Sequence, residues 1–128
     1  LGRVSLYFDY GWSPDPVGEF LRSLDVVERL DARLVLSGHG RTFTDVEAHI
    51  EANRALVRER LEATERVLAE HGPLTAFAAV PLIFGGEVTE MNANWWLSET
   101  LCFLRHLEVT GAAVREGGAG EPEVWRTA

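Results

Sequence analysis

The residues Ser37-Gly38-His39-Gly40 hold an imidazole between two glycines, directly after the apolar run Leu34-Val35-Leu36. A short, β-prone apolar run reads as a buried strand. Flanking glycines let the backbone turn sharply and present the ring at the strand's mouth. A histidine so placed suits a metal or catalytic site, and His39 is the candidate metal ligand; on spacing alone, a strand-end turn with an incidental histidine reads equally well. Other candidates are scattered. Asp45 and His49 fall one helical turn apart and could share an ion, although Asp45 is also the acid that a helix dipole favours at its start. Glu99 and His106 share one side of a helix, where a polar rim is the ordinary reading. Cys102 sits among Leu101, Phe103 and Leu104 and reads as a buried structural thiol, not a nucleophile. Of the pair Trp95-Trp96, one should pack in the core and the other face solvent or a neighbouring catalytic lobe. Trp12 lies in a loop that could line the mouth of a site.

These residues need elements to position them. Residues 3–8 look extended, and 9–16 form a loop rich in Gly, Pro and Asp. Asp15-Pro16 opens a helix, with proline near the first helical position and Glu19 in the first turn. Val17, Phe20, Leu21, Leu24, Val27 and Leu30 recur at three- and four-residue steps and give it one apolar face. A short link then leads to the strand at 33–36, an α/β arrangement. Thr44-Asp45 can cap the longest helix, 45–71, which has an apolar side including Ile50, Val57, Leu61 and Leu68 and a solvated Glu/Arg side. Gly72-Pro73 stops this helix and is the expected boundary between two lobes, 1–72 and 73–128. Beyond it the spacing predicts a short apolar helix at 75–84 interrupted near Pro81, and a loop at 85–92. A helix at 93–110 should follow, with Trp96, Leu97, Leu101, Leu104 and Leu107 inward. Strands at 113–116 and 123–127 are joined through Gly117-Gly118-Ala119-Gly120. Two helices followed by a glycine-turned hairpin make a winged-helix pattern. The expected class is α+β, mostly helical.

Composition narrows the function. The chain has 128 residues, 46% of them hydrophobic, and a formal net charge of -8. All 12 basic residues are arginine, read as a codon bias. The single cysteine excludes an internal disulfide and is consistent with a cytoplasmic setting. No apolar run approaches the ~20 residues of a membrane span, and no signal peptide is visible. The chain opens Leu1-Gly2-Arg3 without methionine, so it is expected to be part of a longer protein.

With the elements in order, the chain resembles the C-terminal part of a metallo-β-lactamase-fold hydrolase. The stretches that carry the resemblance are residues 15–24, DPVGEFLRSL, and 32–40, ARLVLSGHG. The second is similar to that family's terminal metal-ligand turn, usually Leu-Pro-Gly-His-Gly, with Ser37 in place of the proline. Residues 58–61, 99–101 and 106–107 resemble the winged-helix lobe that follows the core in the β-lactamase-like protein 2 and glyoxalase II-like branch. The resemblance implies the end of an αββα core followed by that lobe, and a two-zinc hydrolase in the parent protein. It carries over His39 alone, as a ligand of the second metal, with no catalytic or cofactor-binding residue besides. The family's His-x-His-x-Asp-His motif is missing from this sequence, and Asp9 is a poor substitute for the bridging aspartate. This chain alone is therefore expected to hold no catalytic metal and to be inactive. Its expected partner is the N-terminal catalytic part of the same protein. The strand at 33–36 would lack neighbours without that part, which makes a homodimer possible and 45–128 the better core.

Two rivals stand beside this reading. One is a protein-interaction domain without catalysis. The other is a winged-helix nucleic-acid binder, with 93–110 as its recognition helix. Residues 73–128 hold three arginines against seven glutamates, a net charge of 3 − 7 = −4. Since phosphate neutralisation supplies most non-specific DNA affinity, no nucleic-acid partner and no membrane partner are expected. Micromolar protein should leave random duplex DNA unshifted in a native gel at low salt; a salt-sensitive shift would overturn that expectation.

Overall fold

The computed structural model describes residues 6–8 and 13–128. Asp9, Trp12 and most of the loop and extended segment expected at the start lie outside these residues. The first helix, α1, runs Pro16–Arg29. Asp15 caps it by accepting a hydrogen bond from the Gly18 amide at 2.9 Å, and proline takes the first helical position, where no donor is missed. The capping carboxylate lies so close that a Cβ on Gly18 would meet Asp15 Oδ2 at 2.1 Å. Val17, Gly18 and Leu24 are buried.

The long helix α2 spans Val46–His71, with Asp45 capping it through the Ala48 amide at 3.2 Å. Arg54 on α2 reaches across to α1, bonding Asp25 at 2.7 Å and Glu28 at 2.8 Å. The hydrogen bond from Arg54 holds the Glu28 carboxyl below the usual carboxylate range. A two-residue strand β1, Leu74–Thr75, follows, with α3 at Ala76–Phe84, α4 at Ala93–Thr110, β2 at Ala113–Glu116 and β3 at Val124–Thr127. The three strands form one antiparallel sheet in the order β1-β3-β2. Trp125 is the central residue of that sheet, opposite Leu74 on one side and Arg115 on the other, and only 1% exposed.

Apolar clusters follow one another along α2. Near its end, Leu68 meets Leu104 and Leu107 of α4 together with Ala113 and Trp125. Cys102 and Phe103, on the same turn of α4, meet Val17 of α1 and Val57 of α2, with Leu6 and Phe8 against them. Leu24, Val46 and Ile50 close the far end, joined by Val35 and Phe43.

The structure departs from the sequence reading in several places. The segment at 33–36 is not a buried strand: Val35 makes one isolated bridge to Phe43, while Leu34 and Leu36 are 54% and 75% exposed. An apolar strand is buried only by sheet neighbours, and among the described residues Phe43 alone pairs with it. The short helix is not interrupted at Pro81; α3 runs through it. The carbonyl deprived of its donor there is that of Phe77, on the helix's exposed side, where water can replace the bond. β1 was not legible, being only two residues long. The better core does lie at 45–128: among the described residues, only Val17 and Leu24 of the buried apolar side chains precede residue 45.

Replacing Gly18 with alanine should destabilise the chain by roughly 1–3 kcal/mol, because the new methyl must displace the Asp15 carboxylate. A denaturant midpoint for Gly18→Ala equal to that of the parent chain would show the cap to be dispensable.

Candidate functional site

The loop that carries His39 is closed at its base by two backbone hydrogen bonds. The Val35 amide donates to the Phe43 carbonyl at 2.9 Å, and the Phe43 amide donates back at 3.2 Å. Every residue from 36 to 42 is exposed, so His39 stands clear of the protein's own core. Within the loop, the Ser37 hydroxyl donates to the His39 carbonyl at 2.6 Å, a local bond that the usual proline could not make. Only one of the two glycines needs its freedom: Gly40 has φ +110°, in the region L side chains avoid, whereas a Cβ on Gly38 would meet nothing within 4 Å.

The other candidates are engaged elsewhere. Asp45 caps α2. The His49 ring lies on Phe43, with centroids 4.3 Å apart. His71, at the end of α2, approaches Glu70 at 3.8 Å. Among the described residues, no group of three or more His, Cys, Asp or Glu side chains could hold a metal ion. His39 is a single donor, and this chain's described residues do not fit a complete metal centre.

His106 has a partner that sequence reasoning missed. Its Nδ1 lies 2.9 Å from Asp15 Oδ1, and both side chains are largely buried, at 15% and 14% exposed. A carboxylate can only accept, so Nδ1 carries the proton. The same Oδ1 also accepts the Gly18 amide, and one oxygen thereby ties the start of α1 to the middle of α4. No spacing rule could find a pair 91 residues apart. Glu99, the residue expected beside His106, shares its helix but not this bond.

Cys102 is fully buried, as expected of a structural thiol. Burial, with the negative charge of Glu99 and Asp15 nearby, pushes its pKa up to about 12. Of the tryptophan pair, Trp95 is 65% exposed, as expected of one member, while Trp96 is half-buried and stacks on Phe84 at 4.9 Å instead of entering a core cluster. Trp95 lines a cavity of about 230 Å³ with Leu6, Tyr7, Asn94 and Ser98.

No family model matches the chain. Over 97 residues, 76% of its length, it is 36% identical to a probable metallo-hydrolase, YqjP, of Bacillus subtilis, of which it covers 30%. A β-lactamase domain protein from Burkholderia ambifaria is similar over 98% of the chain and 37% of its own, at 32% identity and a TM-score of 0.83. A metallo-β-lactamase family protein from Thermus thermophilus is similar over the whole chain and 39% of its own, at 29% identity and the same TM-score of 0.83. The chain thus has a fold found within metallo-β-lactamase proteins and sequence kinship to a metallo-hydrolase. It spans 30 to 39% of the length of these relatives. No described helix is long and apolar enough to cross a membrane.

The raised pKa of Cys102 has two consequences. Its thiol should not react with a thiol reagent at pH 8 until the chain is denatured; reaction of native protein at the rate of free cysteine would refute its burial. Its folded-state pKa also lies above the unfolded value near 8.5. The thiol therefore contributes stability that is complete below that value and lost as pH rises towards 12.

Proposed function

We propose that this chain is the C-terminal part of a zinc-dependent metallo-β-lactamase-fold hydrolase. In this reading residues 1–72 end the catalytic core, and His39 is one ligand of a two-ion centre. Residues 73–128 form a winged-helix-like lobe that packs on the core and helps shape the substrate entrance. One observation carries the reading: an imidazole presented on an exposed loop between glycines, in a chain related to a metallo-hydrolase. The remaining ligands come from upstream residues of the same protein, since His39 cannot fix an ion alone. When bound, such a centre would supply an activated water for attack on an ester-like bond.

The apolar surface around the loop supports an intramolecular partner. Leu34 and Leu36, just before His39 in the chain, and Leu30 at the end of α1 are 54%, 75% and 68% exposed. Side chains of this kind are normally covered, and the upstream catalytic part is the cover proposed here, with a second copy of the chain as the alternative. The rival nucleic-acid reading is weakened by the ion pairs of the second lobe. Arg105 pairs with Glu108 at 2.7 Å, Arg115 with Glu108 at 3.2 Å and with Glu123, and Arg126 with Glu116 at 2.7 Å. All three of its arginines are engaged by glutamates, which leaves little positive field for phosphates.

In the full-length protein, His39→Ala should lower zinc affinity at least about tenfold and reduce hydrolysis of activated esters or thioesters in step. Zinc content and activity both at the parent level would exclude His39 as a ligand.

A further inference from the structure

We propose that His49 is a positioning residue for His39, holding closed the base of the loop on which it stands. The inference rests on the reading of His39 as a metal ligand. Two backbone bonds between Val35 and Phe43 clasp this loop. Both side chains of the clasp, Val35 and Phe43, are half-buried and pack against the core of Leu24, Val46 and Ile50, and Phe43 alone of the two also meets an aromatic ring. Its ring meets the His49 ring at 4.3 Å with an interplanar angle of 34°. Phe43 is thus gripped between that core and His49.

His49 is itself rigidly held. It lies in the first turn of α2, where its amide donates to the Asp45 carbonyl at 3.2 Å and its carbonyl accepts Asn53 Nδ2 at 2.8 Å. These bonds fix the His49 backbone in the helix, and its ring lies against Phe43. The ring's Nδ1 is buried and has no hydrogen-bond partner among the described residues. That nitrogen does no bonding work here, and the ring acts on Phe43 through its face. The chain of contact runs from α2 through His49 and Phe43 to Val35, and so to both ends of the segment that presents His39. A ligand loop must hold its donor within a fraction of an ångström, and residues behind the ligands usually supply that precision.

The test uses the full-length, zinc-loaded protein. In His49→Ala, hydrogen exchange at the Val35 and Phe43 amides should quicken about three- to tenfold, the range expected for loss of one aromatic pair. Zinc affinity should weaken by a similar factor, with exchange in α4 unchanged as the control for folding. His49→Phe, which keeps an aromatic ring against Phe43, should restore both. Unchanged exchange at Val35 and Phe43 in His49→Ala overturns the proposal, as does failure of His49→Phe to restore it. If His49→Ala loosens the clasp while His39→Ala leaves zinc content intact, the clasp stands and the metal-ligand reading of His39 falls.

Discussion

The fold depends on enclosing one turn of α4. Cys102, Phe103 and Leu104 are consecutive in sequence, so they point to different sides of the helix, yet none is more than 1% exposed. A helix apolar on all sides is stable in water only if other elements surround it. Here α1 and α2 cover the Cys102–Phe103 side, while Leu68, Ala113 and Trp125 cover Leu104. The segments on either side of Gly72-Pro73 therefore share one buried helix, and neither could close its core alone. Truncating Phe103 or Leu104 to alanine would remove about 2–5 kcal/mol, a large fraction of a small domain's stability.

Apart from the largely buried Asp15–His106 pair, the ion pairs that join elements lie around that core. Arg54 clasps α1 to α2, and Arg115 joins α4 to the hairpin by meeting Glu108 and Glu123 together. These pairs are at least one-fifth exposed on the arginine side and individually contribute little. Their value is in register: a forked guanidinium holding two carboxylates from different elements fixes how those elements slide against one another.

Periodicity made the helices legible. Capping residues at Asp15 and Asp45, the stop at Gly72-Pro73 and the glycine-turned hairpin all lie where local chemistry places them. The 33–36 segment misled because its composition is that of a buried strand, while burial depends on neighbours that a local reading cannot supply. Pro81 misled because a proline's penalty depends on which carbonyl it orphans, and that one faces water. At the site, the Gly-His-Gly pattern singled out His39, which stands on an exposed loop. The Phe43–His49 contact and the Asp15–His106 bond were invisible, since both are made by tertiary packing and neither has a sequence spacing of its own.

The shared oxygen of Asp15 has a consequence for how this sequence can change. Gly18 can approach the cap only because it lacks a Cβ, and His106 can reach the same oxygen only while the cap holds it in place. Residues 18 and 106 meet at one carboxylate oxygen and form a single energetic unit. Substitutions at the two should be epistatic, the second costing little once the first has moved Asp15. Across related sequences, a side chain at position 18 would release position 106 from the need to be histidine.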